Sequence, residues 1–180
     1  ITSIGAILGT FASPIINRKI NTRTMTIITT IVSGSFYLIA RFVGLQTPLF
    51  IAAFTCSSFV SGIAGSTFVA LYSDTIVYAE WKTGKNTSGF IMGLMNLPVK
   101  VGKMTNGIIM TSSLAAIGFV AKMTPTPALK AGIINIIALI PAIGLIAAGL
   151  VLLLGFRLTE AKLKEMEEEI NARKLEVVPD

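Results

Sequence analysis

The sequence contains no histidine. That removes imidazole acid–base work and most schemes for binding zinc or haem. Cysteine occurs once, as Cys56, so no disulfide can form within the chain. Its place in an apolar run predicts a buried, inert thiol. Charge is scarce as well. Asp, Glu, Lys and Arg make up 13% of the residues, about half the share in soluble domains. There is no Gly-rich phosphate loop, no pair of carboxylates and no cluster with metal-ligand spacing. Serine and threonine are plentiful, but without histidine a hydrolase triad lacks its usual base. The expectation is therefore a protein that is not an enzyme, with no catalytic residue and no metal.

What is abundant is apolar sequence, 53% of the chain. A membrane-spanning helix needs about 20 apolar residues. By that measure the sequence predicts five spans, at about 1–16, 25–44, 48–78, 88–121 and 131–156. These make a transmembrane bundle over 1–157, followed by a polar tail over 158–180. In the tail Leu163, Met166 and Ile170 recur at helical spacing, predicting an amphipathic helix that rests on the membrane surface or on loops.

The net charge of +6 is better explained by topology than by nucleic acid, because the cations lie between apolar runs and do not cluster with aromatics. Alternating the loops puts ten Lys/Arg on one side and three on the other, with Lys100 and Lys103 inside a span. The excess marks the cytoplasmic side. It predicts an integral membrane protein whose first and third links and C-terminus are cytoplasmic. The first span would then start outside, which suits the back part of a larger protein.

Two spans carry candidate functional residues. The third is rich in small residues, among them Ser58, Gly62 and Ser66, whose spacing lets helix backbones approach closely. The fourth places Asn96, Lys100, Lys103 and Gly107 on one helix face, with Pro98 among them. Charged side chains within a span are costly. The two lysines are therefore expected to face a bundle interior or a wet cavity, and to be paired. The other candidate feature is the run "EWKTGKNTSG" at 80–89, read as the link between the third and fourth spans.

The stretch "SDTIVYAEWKTGKNTSGFIMGLMNLPVKVGKMTNG" resembles the back half of the glycoside–pentoside–hexuronide:cation symporters, the melibiose-carrier family of the major facilitator superfamily. The resemblance rests on Asp74, Tyr78, Glu80, Trp81 and Lys82, then on Val99, Lys100 and Gly102. It implies an all-α membrane protein comprising helices eight to twelve of a twelve-helix transporter, plus the C-terminal helix. It implies cation-coupled uptake of a glycoside or related sugar by alternating access. The substrate cavity would include Lys100, Asn96, Val99, Lys103 and, on the third span, Gly65. Asp74, Glu80, Trp81, Lys82 and Gly84 would form a cytoplasmic gate or loop motif. No cofactor is expected. The coupling cation, sodium or proton, would bind mainly in N-terminal helices outside this sequence. The partners implied are the bilayer of the cell membrane, those N-terminal helices and a small sugar, without nucleic acid.

The chain departs from the family pattern at Val77, Ala79, Asn86 and Lys103. Lys103 replaces a small residue and adds a second positive charge, which would suit an acidic sugar. The alternatives are a small, non-transporting membrane subunit, and a carrier of a non-sugar solute or lipid.

Overall fold

The computed structural model describes residues 2–17, 20–43, 47–120, 124 and 126–176. Arg18, Lys19, Gly44 and Lys122, which entered the reading of the links and span ends, lie outside the described residues. The protein is an all-α membrane protein. Its helices are α1 (Thr2–Asn17), α2 (Thr22–Val43), α3 (Thr47–Thr83), α4 (Ser88–Ala116), α5 (Pro127–Gly155) and α6 (Glu160–Glu176). Of these, α2, α3 and α5 are long and apolar enough to cross a membrane, and α1 is a shorter apolar helix.

The bundle is built around α3 and α2. Ser33 on α2 meets Ser57 and Ser61 on α3, and Tyr37 meets Phe54, so these two helices run antiparallel. Arg23 reaches the Leu153 carbonyl at 3.2 Å and Gly34 lies against Ala142, so α2 and α5 are antiparallel too. By contrast α1 runs parallel to α3, with Gly5 beside Thr55 and Gly9 beside Phe59 and Ile63. A methyl group on Gly9 would fall 2.9 Å from the Phe59 carbonyl carbon and closer still to its oxygen. One on Gly62 would strike the Ala6 backbone in the same way. Here glycine is needed for space, since the two backbones touch directly.

The interior mixes small hydroxyl residues with apolar ones such as Met25, Ile63, Leu71 and Leu129, and the outside is large and apolar. Thr26, Ser33, Ser57 and Thr67 are the largest fully buried side chains. Phe42 is 86% exposed, and Phe11 and Leu154 are 74% exposed. In water that distribution would be inverted. In a bilayer hydrocarbon is no worse a neighbour than another leucine, so close backbone contact and hydrogen bonds select the interior residues. Thr29 and Thr26 bond within their own helix, Thr29 donating to the Met25 carbonyl at 2.7 Å and Thr26 to the Thr22 carbonyl at 2.8 Å, while Ser33 and Ser57 bond across α2 and α3.

Helix ends follow cap chemistry more than hydropathy. α5 starts at Pro127, ahead of the apolar run, because the Thr126 hydroxyl accepts from the Leu129 amide at 3.2 Å and proline suits the first turn. Lys130 is thereby drawn into the helix. α4 ends at Ala116, where Gly118 takes φ +71° and its N–H reaches the Ala115 carbonyl. The largest difference from the sequence reading is in α3, which continues to Thr83. Its 37 residues make roughly 55 Å of helix, well beyond the ~30 Å hydrocarbon core. The link is only Gly84–Thr87, and Gly84 turns the chain with φ +68°. Cys56, expected to be buried, is exposed. It sits on the outer side of α3, opposite the packed serines, so its apolar setting is the helix exterior.

Candidate functional site

A cleft of about 450 Å³ opens between α3, α4 and α5. It is lined by Ser61, Gly65 and Phe68 of α3, Met95 and Val99 of α4, and Leu152 of α5, among others. Two residues expected in a common cavity, Gly65 and Val99, are thus brought together. A Cβ on Gly65 would meet nothing within 4 Å, so this glycine leaves open space and is not a close-approach position. The wall is mostly apolar. Ser61 and Thr30 supply its hydroxyls, and Ser61 is tied to Ser33 at 2.6 Å.

Asn96, Lys100 and Lys103 do not line this cleft. All three are exposed on α4, which has no buried residue. The half-buried Ile91 and Met95, with Val99, mark the side of α4 that meets the rest of the chain. The face of Asn96, Lys100, Lys103 and Gly107 is centred roughly a quarter-turn away. Among the described residues neither lysine has an acidic partner. The expected pairing is therefore not made among the described residues. The nearest reason is geometric: no other described helix covers that side of α4. The helix runs without interruption through Pro98.

The run that begins at Glu80 behaves differently. Asp74, Glu80, Trp81 and Lys82 all lie on α3, and only Gly84 belongs to the link, so the expected loop motif is mainly a helix terminus. The Trp81 indole N–H donates to Glu169 Oε2 at 2.7 Å. Arg173 contacts the same carboxylate oxygen at 3.3 Å and donates to the Trp81 carbonyl at 3.1 Å. Lys174 Nζ lies 2.8 Å from Glu80 Oε1. Lys82 lies over the Tyr78 ring, 5.9 Å from its centroid. Asn86, where the family pattern has another residue, accepts from the Ser88 amide and hydroxyl and so starts α4. The sequence reading missed Glu169, Arg173 and Lys174. Their only signal was the Leu163–Met166–Ile170 stripe beside them, which predicted a docked face but not what it docks on. Among the described residues no group of His, Cys, Asp and Glu is placed to hold a metal.

An all-α bundle with an apolar exterior and an open cleft defines a polytopic membrane protein. Comparison with known proteins makes that specific. The chain belongs to the MFS/sugar transport protein family, which it matches over residues 1–160. It is 29% identical over 173 residues to a glucuronide carrier protein homolog of Escherichia coli K12, covering 93% of this chain and 38% of that protein. It is 34% identical over 110 residues to the uncharacterized symporter YnaJ of Bacillus subtilis 168, covering 61% and 24%. It is 30% identical over 126 residues to a putative sulfoquinovose importer of E. coli K12, covering 67% and 26%. The chain thus spans well under half the length of these relatives. No solved structure matches it. These relatives are transporters and carriers, not enzymes.

Proposed function

We propose that this chain forms the C-terminal helices, eight to twelve, of a cation-coupled symporter of the melibiose-carrier type, and that its substrate is an anionic sugar. The observation that carries the reading is the uncovered face of α4, where, among the described residues, Lys100 and Lys103 sit without acidic partners, roughly a quarter-turn from the cleft of Gly65 and Val99. Two cations in a helix between membrane spans call for compensating charge. A carboxylate or sulfonate on a sugar supplies it, and Asn96 on the same face offers hydrogen bonds to hydroxyls. The relatives' names agree with this chemistry, since a glucuronide carries a carboxylate and sulfoquinovose a sulfonate. Sodium or a proton would drive uptake from sites mainly outside this chain, with two helix bundles rocking about a central site. The excess of Lys/Arg on one side supports a cytoplasmic C-terminus in the cell membrane.

The test is uptake by the whole carrier in proteoliposomes, comparing a uronide with its neutral glycoside, with and without a sodium or proton gradient. Lys103→Ala is expected to raise KM for the uronide roughly tenfold or more, the size of a lost charge-assisted hydrogen bond, and to leave neutral sugars unaffected. Equal transport of neutral and acidic sugars, unchanged by Lys103→Ala, would overturn the reading.

A further inference from the structure

α6 follows α5 after four residues and packs on α3, so it bridges the ends of two helices of the bundle. Its Met166 is buried, with Leu163 and Ile170 half-buried on the same stripe. The polar contacts gather at the other end of α6. There Glu169 takes the Trp81 indole N–H, Arg173 caps the Trp81 carbonyl, and Lys174 meets Glu80. The carbonyls in the last turn of a helix lack intrahelical partners, and cations near that terminus are favoured. Arg173 and Lys174 supply both effects to α3. The attractive pairs are open to water on the α6 side, where the Arg173, Glu169 and Lys174 side chains are 53%, 47% and 63% exposed, while Glu80 on α3 is 15% exposed. Such pairs are individually weak and screened by salt.

We propose that α6 is a reversible strap, held to the end of α3 by Glu80 and Trp81, so that its docking is set by ionic strength and by these few charges. Docked, it ties the end of α3 to the end of α5 and restrains α3. Undocked, it leaves that end free. The proposal does not depend on the identity of the transported solute.

The strap is tested by thiol accessibility in the membrane-embedded carrier. Met166→Cys, in a Cys56→Ser background, is expected to react slowly with a polar maleimide. Adding Arg173→Ala or Glu80→Lys is expected to speed labelling several-fold, as is raising salt to about 0.5 M, a condition that shortens the screening length to a few ångströms. The pair Glu80→Lys with Lys174→Glu is expected to return the rate toward the parent value. Limited trypsin cleavage at Lys162 and Lys164 should follow the same order without any change at Met166. Rates that are the same in all these variants and indifferent to salt would overturn the strap.

Discussion

The direct backbone contact between α1 and α3 gives the sharpest prediction. Gly9→Ala places a methyl 2.9 Å from the Phe59 carbonyl carbon and 3.2 Å from the Ile63 nitrogen. Carbon atoms in contact sit about 3.5–4.0 Å apart, and here the obstruction is backbone, which cannot rotate away. The helices must part by roughly 1 Å. A gap of that size forfeits a quarter to a half of the dispersion energy across the contact, and overpacking of this kind costs about 1–3 kcal/mol. The rigidity of the obstacle puts Gly9→Ala near the upper end, about 3 kcal/mol. The weak bond from the Thr10 hydroxyl to the Gly62 carbonyl, at 3.4 Å, goes with it.

Gly62→Ala attacks the same seam from the other side, against the Ala6 backbone, and is expected to cost a similar amount. Together they should cost little more than either alone, because the first substitution already separates the helices. Gly144→Ala is the control, since a Cβ there meets nothing within 4 Å. The assay is unfolding in mixed micelles by a denaturing detergent, followed by the fluorescence of Trp81, the chain's only tryptophan. If Gly9→Ala shifted the midpoint no more than Gly144→Ala, or if the two seam substitutions were additive, the argument from backbone contact would fail.

Two further stability predictions follow from buried or capping hydroxyls. Ser33→Ala removes contacts of 2.9 Å to Ser57 and 2.6 Å to Ser61, and is expected to cost about 1 kcal/mol, with a coupling of about half that in a double-mutant cycle with Ser61→Ala. A cycle with no coupling would show that the three hydroxyls are merely adjacent. Thr126→Ala removes the N-cap of α5 and should cost about 1 kcal/mol, with faster hydrogen exchange at the Leu129 amide. Unchanged exchange there would contradict the cap.

Much of this protein was legible because a bilayer imposes simple rules. Scarce charge and long apolar runs announced membrane helices, and α2 and α5 lie close to where hydropathy put them. The family was legible in the Asp74–Lys82 run and the spaced Lys100. Boundaries were less so. The sequence reading stopped the third span near residue 78 because charges begin there, yet Glu80, Trp81 and Lys82 continue the helix. A helix terminus outside hydrocarbon tolerates charged residues, and the turn waits for Gly84. Cys56 misled for a related reason. An apolar neighbourhood in sequence does not separate the packed side of a membrane helix from its lipid side, since both are apolar.

The sequence by itself determined that the chain is a bundle of membrane helices, which face of α4 is polar, and that α6 has one apolar stripe. Each of these is periodicity, a property of one helix considered alone. Only the tertiary structure decided that α1 lies parallel to α3 through Gly9 and Gly62, that Lys100 and Lys103 find no acidic partner among the described residues, and that α6 closes on Glu80 and Trp81. Those are contacts between helices far apart in sequence. They depend on which small residues let two backbones meet and on where opposite charges fall once they have met, and no repeat within a single helix encodes that choice.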